Sequence, residues 1–234
     1  MDRLQKIITK ETPVPLVEKL SIGTMDYKGK LLIHIIPLQS FALKEQIDIN
    51  KNWEIIKDQL DTIHHNFIDS MVMLSRSDRT SKNLTPIINL DGLLNYSTDS
   101  ALNPYSYTQL YRNGIIESVY TGIVDHSNSI KADDIWNLTT DFIKRTLQFY
   151  KEIGSSQIFQ ISGPKYIFIS LLDIKDSEIS SNKGDPKTES SFKDRILQLP
   201  EVEIDESNEN EPLKEILKPL FEILLNTFGW VSNQ

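Results

Sequence analysis

Two long apolar runs define the expected interior of the chain. Leu31–Pro37 is almost continuously apolar and β-branched, and Pro164–Leu172 repeats this pattern later in the sequence. Runs of this kind are typical of strands that are covered on both faces of a sheet. We therefore expect two buried strands here, with the first of them at the centre of the sheet.

Apolar residues recur at helical spacing in two segments, from Trp53 to Ile68 and from Ile135 to Ile153. The second stripe is the more regular one, and it is broad enough to pack on a sheet. Asp133 or Asp134 is expected to cap the start of that helix, because a carboxylate accepts hydrogen bonds from the unpaired N–H groups of the first turn. Gly154 lies where a C′ glycine would end it.

The composition changes in the last third of the chain. From Ser177 to Ser191 it shifts to Ser, Lys, Asp, Glu, Gly and Pro, which predicts an exposed or mobile loop. Apolar alternation returns from Phe192 to Ile204. A third helix is expected to begin at Pro212, and Pro219 should kink it because its ring clashes with the preceding turn. The apolar face of this helix comprises Leu213, Ile216, Leu217, Leu220, Leu224 and Phe228.

Turn-forming residues divide the rest of the chain. The first segment, Leu4–Leu20, contains two prolines that favour extended or turn geometry. A polar loop is expected from Ser75 to Thr85. Between Pro86 and Tyr96, the dipeptide Asp91-Gly92 separates two short β segments and marks either a turn or a bulge.

The most specific local signal lies in Tyr105–Tyr120, where two β-prone runs meet at Asn113-Gly114. Asn and Gly tolerate the positive φ angles of a two-residue type I′ loop, so we expect a hairpin with that loop. In the resulting register, Arg112 and Glu117 are diagonal neighbours on one face. Together these features predict an α+β fold, with a mostly antiparallel sheet that has a central hairpin and packs against about three helices.

The best polar cluster in the sequence comprises Asp91, Arg112, Asn113 and Glu117. As a paired network it would fix the hairpin against its neighbours, whereas facing a cleft it would bind a carboxylate or a phosphate through Arg112. We favour the structural role, because both turn dipeptides already have a backbone reason to exist. The four residues are retained as candidate ligand-binding residues.

Histidines offer weaker candidates. His34 sits inside the first apolar run, where a hydrogen-bonded structural imidazole is far commoner than a catalytic base. Asp61, His65 and Asp69 would line one helix face at four-residue spacing, but such spacing arises easily on a polar face. His126 lies in a loop rich in Ser and Asn. The chain carries none of the glycine-rich or nucleophile motifs of common enzymes, so no catalytic residue, metal or cofactor is assigned.

Length and composition favour one globular domain spanning residues 1–234. The chain is 39% hydrophobic and 25% charged, with a mean hydropathy of −0.31, which predicts a soluble protein, and its longest apolar runs are too short for a membrane span. A cytoplasmic location is expected. There is no cysteine, so disulfides and thiolate sites are excluded. The formal net charge of −8 disfavours binding of a nucleic-acid backbone.

Acidic residues are concentrated in one short window without an intervening base, formed by Glu201, Glu203, Asp205, Glu206, Glu209 and Glu211. Most runs of this kind are solvated loops. The alternative is a docking site for a basic partner.

Six segments, taken in order, resemble the C-terminal region of a group of bacterial Schlafen AlbA-type proteins. The resemblance covers nearly the whole chain, and it depends on the order and spacing of the segments, since no single motif is diagnostic. The segments are Lys6–Leu16, Leu32–Leu38, Asn89–Leu94, Tyr111–Glu117, Tyr166–Leu172 and Leu199–Val202.

In that group, a region of this kind follows an AlbA-type domain that is assigned to DNA binding or ATP binding. The resemblance implies a non-enzymatic sensing, docking or assembly domain whose partner is the AlbA-type domain, and it carries over no active-site residue. Nucleic-acid chemistry would belong to that domain and not to this chain. The alternative is a small-ligand-binding or hydrolytic domain that uses a polar cleft around Arg112 and Glu117.

Overall fold

The computed structural model describes residues 28–41, 46–75, 83–98, 104–181, 191–205, 208 and 211–230, with the side chains of residues 65–75 and 83–85 excepted. The expected extended segment Leu4–Leu20 lies outside these residues. The described strands are β1 Lys30–Pro37, β2 Asn83–Ile88, β3 Gly92–Thr98, β4 Pro104–Tyr111, β5 Ile116–Thr121, β6 Ser129–Lys131, β7 Lys165–Leu172, β8 Glu178–Ser180, β9 Ile196–Gln198 and β10 Val202–Ile204. The described helices are the 3-10 turn Leu38–Phe41, α1 Trp53–Ser75, α2 Ala132–Ser155 and α3 Leu213–Thr227.

Eight of these strands form one antiparallel sheet in the order β10-β7-β1-β5-β4-β3-β2, with β9 beside β7 next to β10. The strands β6 and β8 form a separate parallel pair. The expected α+β fold, with a mostly antiparallel sheet and three α-helices in the described ranges, is confirmed. The apolar run at Leu31 is the interior strand β1, and all of its residues except His34 are buried.

The main core lies on one face of the sheet, where the three helices pack. Strand alternation sends Leu31, Ile33 and Ile35 of β1 to this face. On α1, the buried His64 is hydrogen-bonded through its two ring nitrogens to Ser97 Oγ and Thr108 Oγ1, at 3.0 Å each. These contacts fix α1 above β3 and β4.

None of the helices in the described ranges combines the length and apolarity needed to cross a membrane.

The opposite face of the sheet carries a smaller buried cluster, formed by Leu32, Leu94, Tyr107, Val119 and Leu172. These side chains occupy the alternate positions of the same strands, so the central strands are apolar on both faces as the sequence predicts. The helical stripe of α2 is confirmed in the same way, because Ile135, Leu138, Phe142, Phe149 and Ile153 are all buried.

Both ends of α2 differ from the sequence expectation. The helix begins at Ala132, its N-cap position is Lys131, and no side chain caps it. Asp133 and Asp134 lie in the first turn instead, where their charge complements the helix dipole. Gly154 is not a C′ residue, because the helix continues through it to Ser155.

The central hairpin is confirmed, but its predicted two-residue loop is wrong. Tyr107 pairs with Val119, one residue away from the expected partner Tyr120. The loop has three residues: Gly114 N–H donates to Tyr111 O at 2.9 Å, and Tyr111 N–H donates to Ile115 O at 2.8 Å. A turn followed by a glycine with a φ of 90° is a G1 bulge, which takes up the extra residue.

Two predicted loops are partly ordered as strands. Within Ser177–Ser191, Glu178–Ser180 forms β8, and Ser177 and Ile179 are buried. Residues 182–190 lie outside the described ranges. The polar segment Ser75–Thr85 contributes its first residue to α1 and Asn83–Thr85 to β2, because β3 supplies a pairing partner that local composition does not reveal.

Candidate functional site

Three of the four candidate residues lie in two neighbouring loops, the β2–β3 turn at residues 89–91 and the β4–β5 loop at residues 112–114, and Glu117 lies on β5. Arg112 connects them: its Nε donates to Leu90 O at 3.1 Å and its Nη2 to Asn89 O at 3.4 Å. The backbone N–H of Arg112 also donates to Asp91 O at 2.8 Å. The guanidinium therefore holds backbone carbonyls of the adjacent turn.

The expected proximity of Arg112 and Glu117 is wrong, because the one-residue change in register moves Glu117 to the other face of the sheet. On that face Glu117 lies opposite His34, whose Nε2 donates to its Oε2 at 2.8 Å. The hydroxyl of Tyr107 donates to Oε1 of the same carboxylate. Both carboxylate oxygens thus have partners within the sheet.

Asn113 supports the loop from within. Its Oδ1 accepts a hydrogen bond from the backbone N–H of Ile115 at 3.3 Å. The carbonyl of Gly114 accepts a hydrogen bond from the buried hydroxyl of Tyr150 on α2 at 2.9 Å. The candidate residues therefore divide into a loop brace, which contains Arg112 and Asn113, and a separate carboxylate network around Glu117.

The carboxylate network is part of a row of paired residues across the second face of the sheet, in which three polar side chains follow one phenylalanine. Phe168, His34, Glu117 and Gln109 follow one another on four adjacent strands. Burial, followed by the charges of Glu117 and Asp91, raises the pKa of the nearby Tyr111 phenol far above its ordinary value. The His34–Glu117 pair in this row is half-buried, with the side chain of His34 16% and that of Glu117 12% exposed. An imidazole held in this way can orient a polar group, but it has no adjacent nucleophile among the described residues.

The proposed metal face on α1 finds no support in the described side chains. Asp61 accepts a hydrogen bond from Asn95 Nδ2 at 2.5 Å and pairs with Lys57 at 3.2 Å. The side chains of His65 and Asp69 lie outside the description. No group of three metal-ligating side chains occurs within the described part of the chain. His126 is exposed in its loop.

The most distinctive surface was not identified from the sequence. Four exposed apolar side chains lie at the end of the sheet that carries the two loops, and we call this surface the turn end. It consists of Leu38 (44% exposed), Ile55 (49%), Ile88 (41%) and Leu90 (95%). Leu38 follows the end of β1 beside Pro164, and Ile88 and Leu90 belong to the β2–β3 turn region.

Ile55 belongs to the same end because the start of α1 is anchored there. The backbone N–H of Ile47, just before the helix, donates to Arg112 O at 2.7 Å. On α1, His64 contacts Ser97, and Asp61, one turn nearer the helix start, contacts Asn95. The start of α1 therefore lies toward the beginning of β3. The signal in the sequence was Leu90 itself, an apolar residue between the turn-forming Asn89 and Asp91.

Acidic side chains border the turn end. Asp91 lies in the β2–β3 turn, and Asp48 and Glu54 lie at the start of α1. On the far edge strand, Glu203 lies opposite Tyr166. Burial, then the charge and hydrogen bond of Glu203, raises the pKa of the Tyr166 phenol, and the carboxylates of Asp205 and Glu201 contribute in the same direction.

Two of the bases at this end are engaged by carbonyls. Arg112 bonds to Asn89 and Leu90, and Lys165 Nζ donates to Gly163 O at 3.0 Å. The side chains of both bases are therefore held by the backbone. Comparison of the chain with models of protein families, with curated proteins and with solved structures gave no match.

Proposed function

We propose that this chain is a non-enzymatic docking or assembly domain of a bacterial AlbA-type protein, and that it engages its partner domain through the turn end. The proposal is carried by the distribution of exposed apolar side chains. Of the five large hydrophobic residues that are exposed in the described ranges, four lie at the turn end and only Ile223 lies elsewhere. Single exposed apolar residues are common, but a cluster at one end is typical of an interaction surface.

Leu90 is presented on a turn with a defined geometry. Asn89 Oδ1 accepts hydrogen bonds from the backbone N–H groups of Asp91 at 3.0 Å and Gly92 at 2.7 Å. Arg112 holds the carbonyls on the other side of the turn. An anchor that is already fixed loses little conformational entropy on binding, which is how small interfaces obtain affinity from few residues. Leu90 is therefore the expected centre of the contact.

Backbone pairing with a partner strand is disfavoured at the β2 edge. Pro86 lies opposite Asn95 at a position where β2 and β3 exchange no hydrogen bond, so its nitrogen faces away from β3 and has no N–H group to donate to a further strand. On the opposite edge, β9 and β10 are three residues long each and are separated by Leu199, Pro200 and Glu201. Short, interrupted edge strands resist strand addition. Docking is accordingly assigned to side chains of the turn end.

The test is association of the full chain with a purified AlbA-type domain of the resembled group, measured by analytical ultracentrifugation and by titration calorimetry. The Leu90→Ser variant should weaken association by about tenfold or more, because a central apolar anchor contributes roughly 1.5–3 kcal/mol. Ile223→Ser is the control, since it removes the exposed apolar side chain that lies on α3, away from the turn end. It should leave association unchanged.

Lack of association at high micromolar concentrations of both proteins would contradict the proposed partner. An equal loss in the two serine variants would contradict the assignment of the turn end. Altered nucleic-acid binding by the AlbA-type domain in the presence of the chain would support an assembly role in the same complex.

The small-ligand alternative is tested through Arg112. In the docking role this residue braces a turn, so Arg112→Ala should lower the free energy of unfolding by about 1 kcal/mol, the typical net contribution of such hydrogen bonds. In this role, the Arg112→Ala substitution should have no effect on the binding of small molecules. A folded variant of unchanged stability that loses a ligand bound by the wild type would instead establish the ligand-binding alternative.

A further inference from the structure

We infer that the partner of the turn end presents lysine or arginine side chains around an apolar pocket. This inference rests on the proposed docking function and adds the chemistry of the partner. Its starting point is the distribution of charge at the same end of the sheet, where exposed carboxylates flank the apolar side chains on two sides.

On one side, Asp91 is exposed in the same turn as Leu90, and Asp48 and Glu54 are exposed beside Ile55. Asp48 also stabilises the start of α1, since its Oδ1 accepts a hydrogen bond from Lys51 N–H at 3.0 Å. These carboxylates are close to apolar anchors yet remain in water. A partner that covers Leu90 would also face Asp91, the next residue of the same turn.

On the other side, Glu203 lies on β10 at the far edge of the sheet. Its strand neighbour Tyr166 hydrogen-bonds to it, and Asp205 follows at the end of the strand. The backbone there is also fixed, because Asn208 Nδ2 donates to Glu203 O at 3.0 Å and its Oδ1 accepts from Asp205 N–H at 2.9 Å. This acidic side is therefore as well defined as the turn that carries Leu90.

The distance between the two acidic sides fits one interface. Six strand intervals separate β10 from β2 in the sheet, which corresponds to about 29 Å at the usual strand spacing. Interfaces of standard size bury roughly 800 Å² on each partner, a patch of about this width. Leu38, after the end of β1, lies between the two sides.

The balance of acidic and basic side chains at the turn end decides whether the partner's surface should be positively or negatively charged. Among the described residues at this end, five carboxylates outnumber three bases. The carboxylates are those of Asp48, Glu54, Asp91, Glu203 and Asp205, and the bases are Lys51, Arg112 and Lys165. The side chains of Arg112 and Lys165 are also held by backbone carbonyls, which restricts their approach to a partner. Complementary potentials accelerate encounter and exclude wrong partners, and like charges across an interface cost several kcal/mol. A basic partner surface is the complement, with an apolar pocket for Leu90 at its centre.

The experiment uses two defined probes in place of the unidentified partner: a synthetic peptide of leucine and lysine, and its counterpart with glutamate in place of lysine. Binding to the full chain is measured by fluorescence anisotropy at about 50 mM and about 500 mM salt, which brackets strong and weak screening. The lysine peptide should bind more tightly, and the difference should nearly vanish at high salt.

Matched charge reversals localise the effect. Glu203→Lys should weaken binding of the lysine peptide by about fivefold at low salt, in the range expected for exposed charge pairs. Glu222→Lys changes the net charge equally but lies on α3, next to Ile223, and should have no such effect. Leu90→Ser should weaken the binding of both peptides, because it removes the apolar side chain that both are expected to contact.

The outcomes separate this inference from the proposed function. The inferred partner chemistry is overturned if Glu203→Lys and Glu222→Lys have the same effect on binding, or if the glutamate peptide binds as well as the lysine peptide. Association with the AlbA-type domain through Leu90 can still hold in that case. If the peptides behave as expected but the AlbA-type domain does not bind, the surface chemistry stands and the proposed partner fails.

Discussion

The Nε2 of His34 lies 2.8 Å from Oε2 of Glu117, although the two residues are 83 positions apart in the chain. They face each other across the pairing of β1 with β5, and the hydroxyl of Tyr107 on β4 completes the network. Three strands of the second sheet face are thus connected through one carboxylate. This relationship replaces the Arg112–Glu117 pair that the sequence predicts.

Loss of this carboxylate should destabilise the fold. Glu117→Ala removes the carboxylate to which the half-buried His34 and the fully buried Tyr107 donate, so the free energy of unfolding should fall by about 2 kcal/mol. A double-mutant cycle with His34→Ala should give a coupling of about 1 kcal/mol, measured by urea unfolding. Additive effects of the two substitutions would show that the pair contributes no specific interaction. Glu178→Ala, at an exposed position of β8, is the control and should change stability little.

The two glycines Gly114 and Gly154 should respond in opposite directions to alanine. Gly114 has a φ of 90°, and an added Cβ would lie 3.0 Å from Phe159, so Gly114→Ala should cost about 1–2 kcal/mol. Gly154 lies inside α2 with no atom within 4 Å of the added Cβ, so Gly154→Ala should stabilise by about 0.5–1 kcal/mol. Thermal unfolding of the two variants gives the comparison, and a stabilised Gly114→Ala protein would refute the bulged loop.

The elements of the fold were predictable to the extent that a single hydrophobic period defined them. The run at Leu31 and the stripe of α2 each keep one hydrophobic period over their whole length, which indicates a buried strand and an amphipathic helix from the sequence alone. The hairpin register was not predictable from Asn113-Gly114, because the same dipeptide suits a two-residue loop and a bulged three-residue loop. Cross-strand pairing decides between them.

The candidate site depended on that register, and its prediction failed for the same reason. A shift of one residue in the hairpin register moves Glu117 to the face that carries His34. His34 lies on β1, and the sequence around the hairpin gives no indication that β1 pairs with β5. The exposure of Leu90 was not predicted, although Leu90 lies between the turn-forming Asn89 and Asp91, because a leucine beside a strand is ordinarily assigned to the core. It is the turn geometry that directs it into solvent.

Asp173 should contribute to the acid sensitivity of the fold. Burial alone would raise the pKa of its carboxyl, but the hydrogen bond from Arg195 and the nearby Lys30 outweigh that effect, so the pKa is lowered. The corresponding stability is complete above the unfolded pKa of about 4 and is lost as the pH falls through the folded value. Asp173→Asn should therefore flatten the fall in unfolding free energy between about pH 5 and pH 2. The exposed Asp194→Asn is the control, and an equal flattening there would exclude a specific role for Asp173.

Thr139 offers a stabilising substitution at a defined internal fault. It is 3% exposed, and its Oγ1 has no hydrogen-bond partner among the described residues. It lines a small cavity between α2, α3 and β7 whose other described walls are apolar. A water there would find only one polar partner, fewer than the two to four that buried waters normally have. Thr139→Val keeps the branched shape and removes the unsatisfied hydroxyl, so it should raise the free energy of unfolding by about 1 kcal/mol.

The neighbouring Thr140 is the matched control for this substitution. It is also buried, but its Oγ1 donates to Trp136 O at 2.8 Å, so Thr140→Val removes a satisfied hydrogen bond. That variant should be neutral or less stable than the wild type by about 0.5–1 kcal/mol. Urea unfolding of both valine variants measures the difference. Equal changes would mean that the Thr139 hydroxyl is as well satisfied as that of Thr140, and the packing of α3 over this cavity would then have to differ from the arrangement described.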